Sequence, residues 1–227
     1  MKLGLEIYVL GIVGSPRPKS NTAILVKEAL DAAGKLPGVK TGIYTISNKR
    51  IATCIGCLEC THRGKCIIED DFQEFYNEFM KADGVIIGTP VYVMSVPSKL
   101  KACIERLANS IFAHTISLEK KFPRLCKAVG VISQGNRRYG GEEIVQQYIV
   151  DAFTALKCIV VSGDFPDSYI GVGGYTLGNS EAGSIIKDQK ALELSRNLGV
   201  RVAEMAKIIK TGLLQLKDQL PDEYFQK

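Results

Sequence analysis

Leu5-Glu6-Ile7-Tyr8-Val9-Leu10-Gly11-Ile12-Val13-Gly14-Ser15-Pro16-Arg17-Pro18-Lys19-Ser20-Asn21-Thr22 is the stretch whose reading decides the fold. Its first half, Leu5 to Val13, is aliphatic on both faces, as a parallel strand covered by helices on two sides must be. It stops at Gly14. After the loop Ser15 to Asn21, apolar residues at Ala23, Val26, Leu30 and Ala33 step by three and four, making one face of a helix that Gly34 ends. The unit is strand, loop, helix.

The same unit recurs along the chain. A second strand, about Val39 to Ile46, leads through a cysteine-rich loop, residues 50–68, to a helix carrying Phe72, Phe75, Tyr76 and Phe79. Asp71 opens that helix, with Glu74 three residues on. A third strand, Gly84 to Gly88, ends at Thr89-Pro90 and is followed by a helix with Leu100, Cys103, Ile104, Leu107 and Ile111 on its buried face. Ala128 to Ser133 reads as the fourth strand, Ile144 to Leu156 as the next helix, and Cys158 to Val161 as the fifth strand. The last helix spans about Gln189 to Lys210 within a C-terminal helix and tail, 189–227, whose Leu213, Leu214, Leu216 and Leu220 either pack back or meet another subunit. Between them, Asp164 to Asp188 carries five glycines and no sustained period, and reads as a lid, an interface arm or a mobile loop. Strands alternating with helices predict an α/β fold: a doubly wound five-stranded parallel sheet in a single domain, 1–227.

The 227 residues, 46% hydrophobic and 23% charged, exclude a disordered or fibrous chain. Lys and Arg number 29 against 24 Asp and Glu, with no long basic run, so neither a nucleic-acid footprint nor a membrane-charging patch is expected. The longest apolar stretch is interrupted by Glu6 and lacks a cleavage site, which predicts a cytoplasmic protein outside the membrane.

Three loops fall at the carboxyl edge of such a sheet, where ligands bind. The first, Gly14 to Thr22, has neither a dinucleotide fingerprint nor a triphosphate loop. It offers hydroxyls, an amide and backbone N–H groups at a helix N-terminus, which suit a phosphate monoester. Helix capping by Ser20 or Asn21 explains the same residues equally well. The second, Thr89 to Ser95, carries a proline and an aromatic that can hold a flat ring, and the third, Gln134 to Gly141, brings glycines and two arginines. The three converge where a flavin mononucleotide would sit.

Seven cysteines in a cytosolic chain do not imply a disulfide framework. Cys54, Cys57, Cys60 and Cys66 fall at successive steps of x2, x2 and x5, which lets a tight turn present three thiolates to a cubane and return the fourth, so one [4Fe-4S] cluster is the economical reading. A tetrahedral zinc is the competing one, although zinc sites usually show two separated Cys-x-x-Cys pairs. Cys103, Cys126 and Cys158 read as packing residues, His62 as solvated, and Asp70-Asp71 as helix-start charges. No acid, base or nucleophile is placed as a catalytic residue, so the cofactors carry the chemistry.

Gly14-Ser15-Pro16-Arg17 with Ser20-Asn21-Thr22, then Pro90-Val91-Tyr92, then Leu100-Lys101-Ala102-Cys103-Ile104-Glu105-Arg106, resembles the flavodoxin-like NADPH-dependent FMN reductase superfamily. The cysteine run resembles its iron-sulfur flavoprotein branch. Glu105 departs from the aspartate more usual there. The resemblance implies a flavodoxin-like strand order 2-1-3-4-5. It implies that Ser15, Arg17, Ser20, Asn21 and Thr22 hold the FMN phosphate, and that Pro90, Val91, Tyr92 and Val93 with Gly135, Tyr139, Gly140 and Gly141 line the ring. It further implies an oxidoreductase passing electrons from a ferredoxin-like donor through the cluster to FMN and on to dioxygen or peroxide, in a homo-oligomer, dimer or tetramer. Two other readings stand beside it: an NAD(P)H-dependent FMN or quinone reductase without a cluster, and a flavodoxin-like carrier with structural zinc.

Overall fold

The computed structural model describes residues 5–117, 121–137, 140–163 and 166–225. Strand β1 (Ile7–Val13) is buried on both faces, as its aliphatic run requires, and helix α1 (Asn21–Ala33) follows the predicted loop. Next come β2 (Val39–Thr45), the short helix α2 (Glu59–Arg63), α3 (Phe72–Lys81), β3 (Gly84–Pro90) and α4 (Ser98–Ser117). The chain continues through β4 (Ala128–Gly135), α5 (Glu142–Ala155), β5 (Ile159–Val160), β6 (Val172–Tyr175) and α6 (Gln189–Gln215). The parallel sheet runs β2-β1-β3-β4-β5, which is the predicted order.

Two hydrophobic layers hold it. Phe72, Phe75 and Phe79 of α3, Leu100 and Leu107 of α4, and Ile149 and Phe153 of α5 cover one face. Leu25 and Val26 of α1 and Leu194, Leu198 and Val202 of α6 cover the other. Where α6 crosses α1 the backbones nearly touch: a Cβ on Gly199 would lie 2.0 Å from the Ala29 carbonyl oxygen, so only glycine allows that approach. Among the described residues no helix is long and apolar enough to cross a membrane.

The fifth strand position differs from expectation. β5 pairs with β4 only at Ala128 and Val129, and β6 then continues the same edge from Ile132 to Gly135. The segment read as an irregular loop thus contains a strand. Its Val-Gly-Gly-Tyr sequence shows no alternation because the sheet there lies tight under α1 and α6: a Cβ on Gly174 would sit 2.8 Å from Leu25 Cδ1. The last helix also runs to Gln215 rather than Lys210, taking in Leu213 and Leu214, and the tail returns so that Arg124 Nη1 donates to the Tyr224 hydroxyl at 2.9 Å.

Candidate functional site

Ser20 is the N-cap of α1, its Oγ accepting from Ala23 N at 3.1 Å, and Ser15 Oγ accepts from Arg17 N at 3.2 Å. The first turn of a helix leaves N–H groups without intrahelical partners, and the start of α1 borders a cavity through Ser20 and Asn21. One residue further, the Thr22 hydroxyl is buried and has no partner. The cavity, about 150 Å³, is lined by Ser15, Arg17, Ser20 and Asn21 together with Pro90, Val91 and Tyr92. Two of the three predicted loops therefore meet in one place, and Gln134 and Asn136 bring in the third.

Residues 176–184 complete the cavity, contributing Thr176, Ser180 and Ala182. Asn21 ties them down. Its Nδ2 donates to the Glu181 carbonyl at 3.0 Å and the Ser184 hydroxyl at 3.1 Å, while its Oδ1 accepts from Gly183 N at 2.9 Å and Ile185 N at 3.3 Å. Arg17 Nη1 donates to the Ser180 carbonyl at 2.8 Å, and Asn136 accepts at its carbonyl from Gly178 N at 2.7 Å. Sequence reasoning missed Lys19, Gln134, Asn136, Thr176, Ser180 and Ala182 as cavity residues. The one signal that pointed at the last three was the polar side chains interleaved with the glycines of 171–184.

The loop after β3 is closed by Tyr92 and Ser95, whose N–H groups each donate to the other's carbonyl at 2.8 and 3.0 Å. Its two central residues, Val93 at φ 48° and Met94 at φ 60°, occupy the left-handed region that a type I′ turn demands and that suits Asn and Gly. A β-branched valine there is strained, and Val93 is 98% exposed, so no burial offsets the strain. Gly135 and Gly141 do not border the cavity. A Cβ on Gly135 would lie 1.5 Å from Glu142 Oε1, and one on Gly141 2.7 Å from Met94 Sδ, so both glycines let neighbouring segments close up. Burial pushes the Glu142 carboxyl above its ordinary pKa. Gly140 lies just before them, and Tyr139 lies outside the described residues.

The cysteine segment leaves β2 and is bolted to α4. Cys54, Cys57, Cys60 and Cys66 line one cavity of about 190 Å³, walled by Ile55, Leu58, Arg106, Asn109 and Phe112. Cys60 sits on α2, which the sequence reading treated as loop, bounded by left-handed Leu58 and Gly64. Arg106, 1% exposed, spans the ends of the segment: Nη1 donates to the Ala52 carbonyl (3.2 Å) and Asp70 Oδ2 (2.7 Å), Nη2 to the Ile68 carbonyl (3.0 Å) and Cys66 Sγ (3.4 Å). Its guanidinium also stacks over Phe72 at 4.2 Å.

Asp70 is thus more than a helix-start charge. It accepts from Phe72 N at 3.0 Å, but also from Ala52 N at 2.7 Å and from Arg106. Burial pushes its carboxyl up, and the hydrogen bonds from Arg106, Ala52 and Phe72 outweigh that and hold it below the usual carboxylate range. Asp71 makes no side-chain cap and instead accepts from Arg50 N at 2.6 Å. Cys103 and Cys158 are buried, and burial pushes both thiols up to about 12, which makes them packing groups as expected. His62 is exposed.

Residues 7–169 match the family model of NADPH-dependent FMN reductases. The chain belongs to that family. It is 38% identical over 202 residues to an iron-sulfur flavoprotein of Methanocaldococcus jannaschii, covering 89% of this chain and 98% of the relative. An iron-sulfur flavoprotein of Methanosarcina thermophila is 35% identical over 157 residues, 69% of this chain and 77% of the relative. Within the family the chain therefore falls in the iron-sulfur flavoprotein branch, and it is an FMN-dependent oxidoreductase. Solved structures share the fold at low identity. RosB with a bound riboflavin 5′-phosphate derivative superposes at TM-score 0.63 and 16% identity, covering 95% of this chain and 88% of that one. The NAD(P)H:quinone oxidoreductase from Methanothermobacter marburgensis superposes at 0.61 and 13%, covering 87% and 99%.

The residues present fit both groups. The hydroxyls of Ser15 and Ser20 with Arg17 and Lys19, all lining the cavity beside a helix N-terminus, are donors for a phosphate, and the orphaned Thr22 hydroxyl lies buried behind them, outside the lining. Four thiols around one cavity, two of them receiving N–H donors, are a donor set for an iron-sulfur cluster.

Proposed function

We propose that this flavin oxidoreductase carries electrons through a [4Fe-4S] cluster held by Cys54, Cys57, Cys60 and Cys66 to FMN, and on to a two-electron acceptor such as dioxygen or peroxide. The observation that carries the reading is the common cavity lined by all four thiols of the run. A tetrahedral zinc would need four donors about 2.3 Å from one point. Zinc sites usually draw on two separated Cys-x-x-Cys pairs, whereas this run has two consecutive x2 steps and then x5, which favours the cubane. When bound, the cluster exchanges single electrons and the flavin exchanges one or two, so the pair matches a one-electron donor to a two-electron acceptor.

The chain's own residues position these groups. Ser15, Arg17, Ser20, Asn21 and Thr22 form the phosphate cradle, with Asn21 acting through its hold on residues 181–185 and through its place in the first turn of α1. Pro90, Val91 and Tyr92, with Gln134 and Asn136, border the part of the cavity left for the ring. The donor is a ferredoxin-like protein. Exposed Ile55, Leu58, Phe112 and Ile116 beside the cysteine cavity supply apolar surface for a homo-oligomer, dimer or tetramer. A second reading, direct reduction by NAD(P)H, is favoured by the family match alone.

Anaerobically purified protein tests the reading through its absorption spectrum with iron, sulfide, zinc and flavin assays. Four irons, four sulfides and one FMN per chain are expected. Flavin without iron supports the NAD(P)H route, and zinc without iron overturns the cluster.

A further inference from the structure

Helix α4 packs against the cysteine segment, and its side chains enter that segment at helical spacing. Lys99 Nζ donates to the carbonyls of Ile46 and Lys49 at 3.1 and 2.8 Å, fixing the chain where it enters. Arg106 and Asn109, three residues apart and so on one face, reach the thiols. Arg106 Nη2 lies 3.4 Å from Cys66 Sγ, and Asn109 Nδ2 lies 3.5 Å from Cys54 Sγ. The first and last cysteines of the run are therefore each met by an N–H donor from the same helix.

We propose that Arg106 and Asn109 are positioning residues that orient the outer two thiolates and raise the reduction potential of the cluster. The inference rests on the assignment of the cluster to the four cysteines. Each electron accepted adds one negative charge to the assembly of iron, sulfide and thiolates. N–H groups aimed at the sulfurs lower the free energy of that added charge, and hydrogen bonds to sulfur are one of the levers that set such potentials. Arg106 acts here through geometry more than net charge. Asp70 at 2.7 Å neutralises its far side, so Cys66 meets the Nη2 edge of an ion pair. The remaining bonds of Arg106, to Ala52 and Ile68, hold the two ends of the segment so that the edge stays on the sulfur.

The two residues separate in a test because their surroundings differ: Asn109 is exposed, so its replacement leaves the core packing intact, whereas Arg106 is buried. Full-length protein purified anaerobically is titrated with dithionite, following the reduced cluster by electron paramagnetic resonance, with iron and sulfide measured per chain. Asn109→Leu should keep iron, sulfide and flavin and move the cluster midpoint to a more negative value. Asn109→Asp, which replaces the donor by a negative charge, should move it further. Arg106→Lys, which keeps the charge and loses the fork, should release iron to a chelator on the order of 10-fold faster or more, the usual scale for outer partners of a metal site. Iron-replete Asn109 variants whose midpoints equal the wild type would overturn the proposal, as would unchanged iron release from Arg106→Lys. Wild-type protein without iron would refute the cluster assignment itself, a result read before any variant is compared.

Discussion

The turn at Val93-Met94 makes a prediction opposite in sign to most point substitutions. An L-residue in the left-handed region costs about 1–2 kcal/mol, and a β-branched side chain sits at the upper end of that range. Val93 is 98% exposed, so shortening or exchanging it removes almost no packing. Asparagine tolerates this backbone and is the preferred first central residue of a type I′ turn. Val93→Asn should therefore stabilise the protein by about 1 kcal/mol. Val93→Gly should give roughly half of that, because glycine adds about 0.5–1 kcal/mol of unfolded-state entropy. With a urea m-value of about 2–3 kcal/mol/M, the Asn variant should raise the unfolding midpoint by roughly 0.3–0.5 M. The chain has no tryptophan, so far-ultraviolet circular dichroism on flavin-stripped protein is the suitable signal. Tyr169→Asn, at a 76% exposed position without left-handed backbone, serves as the control and should leave the midpoint unchanged. A Val93→Asn midpoint at or below wild type, with the control neutral, would refute the strain argument.

Asp70→Asn should cost about 3–5 kcal/mol at pH 7, because it leaves the guanidinium of Arg106, 1% exposed, buried without its counter-charge. Asp70 titrates below its unfolded value, so its contribution is complete above about pH 4 and is lost as pH falls through the folded pKa; urea midpoints of wild type and variant should converge only in that acid range. Cys57→Ala should abolish bound iron while retaining FMN. Cys103→Ala should retain both and lower stability by about 1 kcal/mol through a small void in the core; metal analysis that reverses this pattern would overturn the division of the cysteines. Ser20→Asp keeps a good N-cap for α1 and places a negative charge where the phosphate is expected, so flavin should be lost on gel filtration while the circular dichroism spectrum is retained.

Local chemistry carried most of the architecture. The aliphatic runs of β1, β3 and β4 and the three-four spacing of α1, α4 and α6 report burial that is nearly the same whichever neighbour provides it. The loop after β1, the proline and tyrosine after β3, and the cysteine run are contiguous motifs, so the residues that come to line the two cavities were legible before any contact was known.

What escaped that reading depends on residues far apart in the chain. β6 has no alternating pattern because its glycines answer to the close approach of α1 and α6, and that approach exists only after folding. Thr176, Ser180 and Ala182 became cavity residues because Asn21, some 160 positions earlier, binds the segment that carries them. In the sequence Arg106 is the last residue of the Leu100–Arg106 motif and has no role assigned. Its role arises from the tertiary fold, which brings Ala52, Cys66, Ile68 and Asp70 around one guanidinium, where burial turns an ordinary surface ion pair into an anchor for the cysteine segment. A sequence by itself determines which faces must be covered and which side chains stand side by side. Only the folded chain decides which distant polar groups share a site that excludes water, and there hydrogen bonds and charges act most strongly.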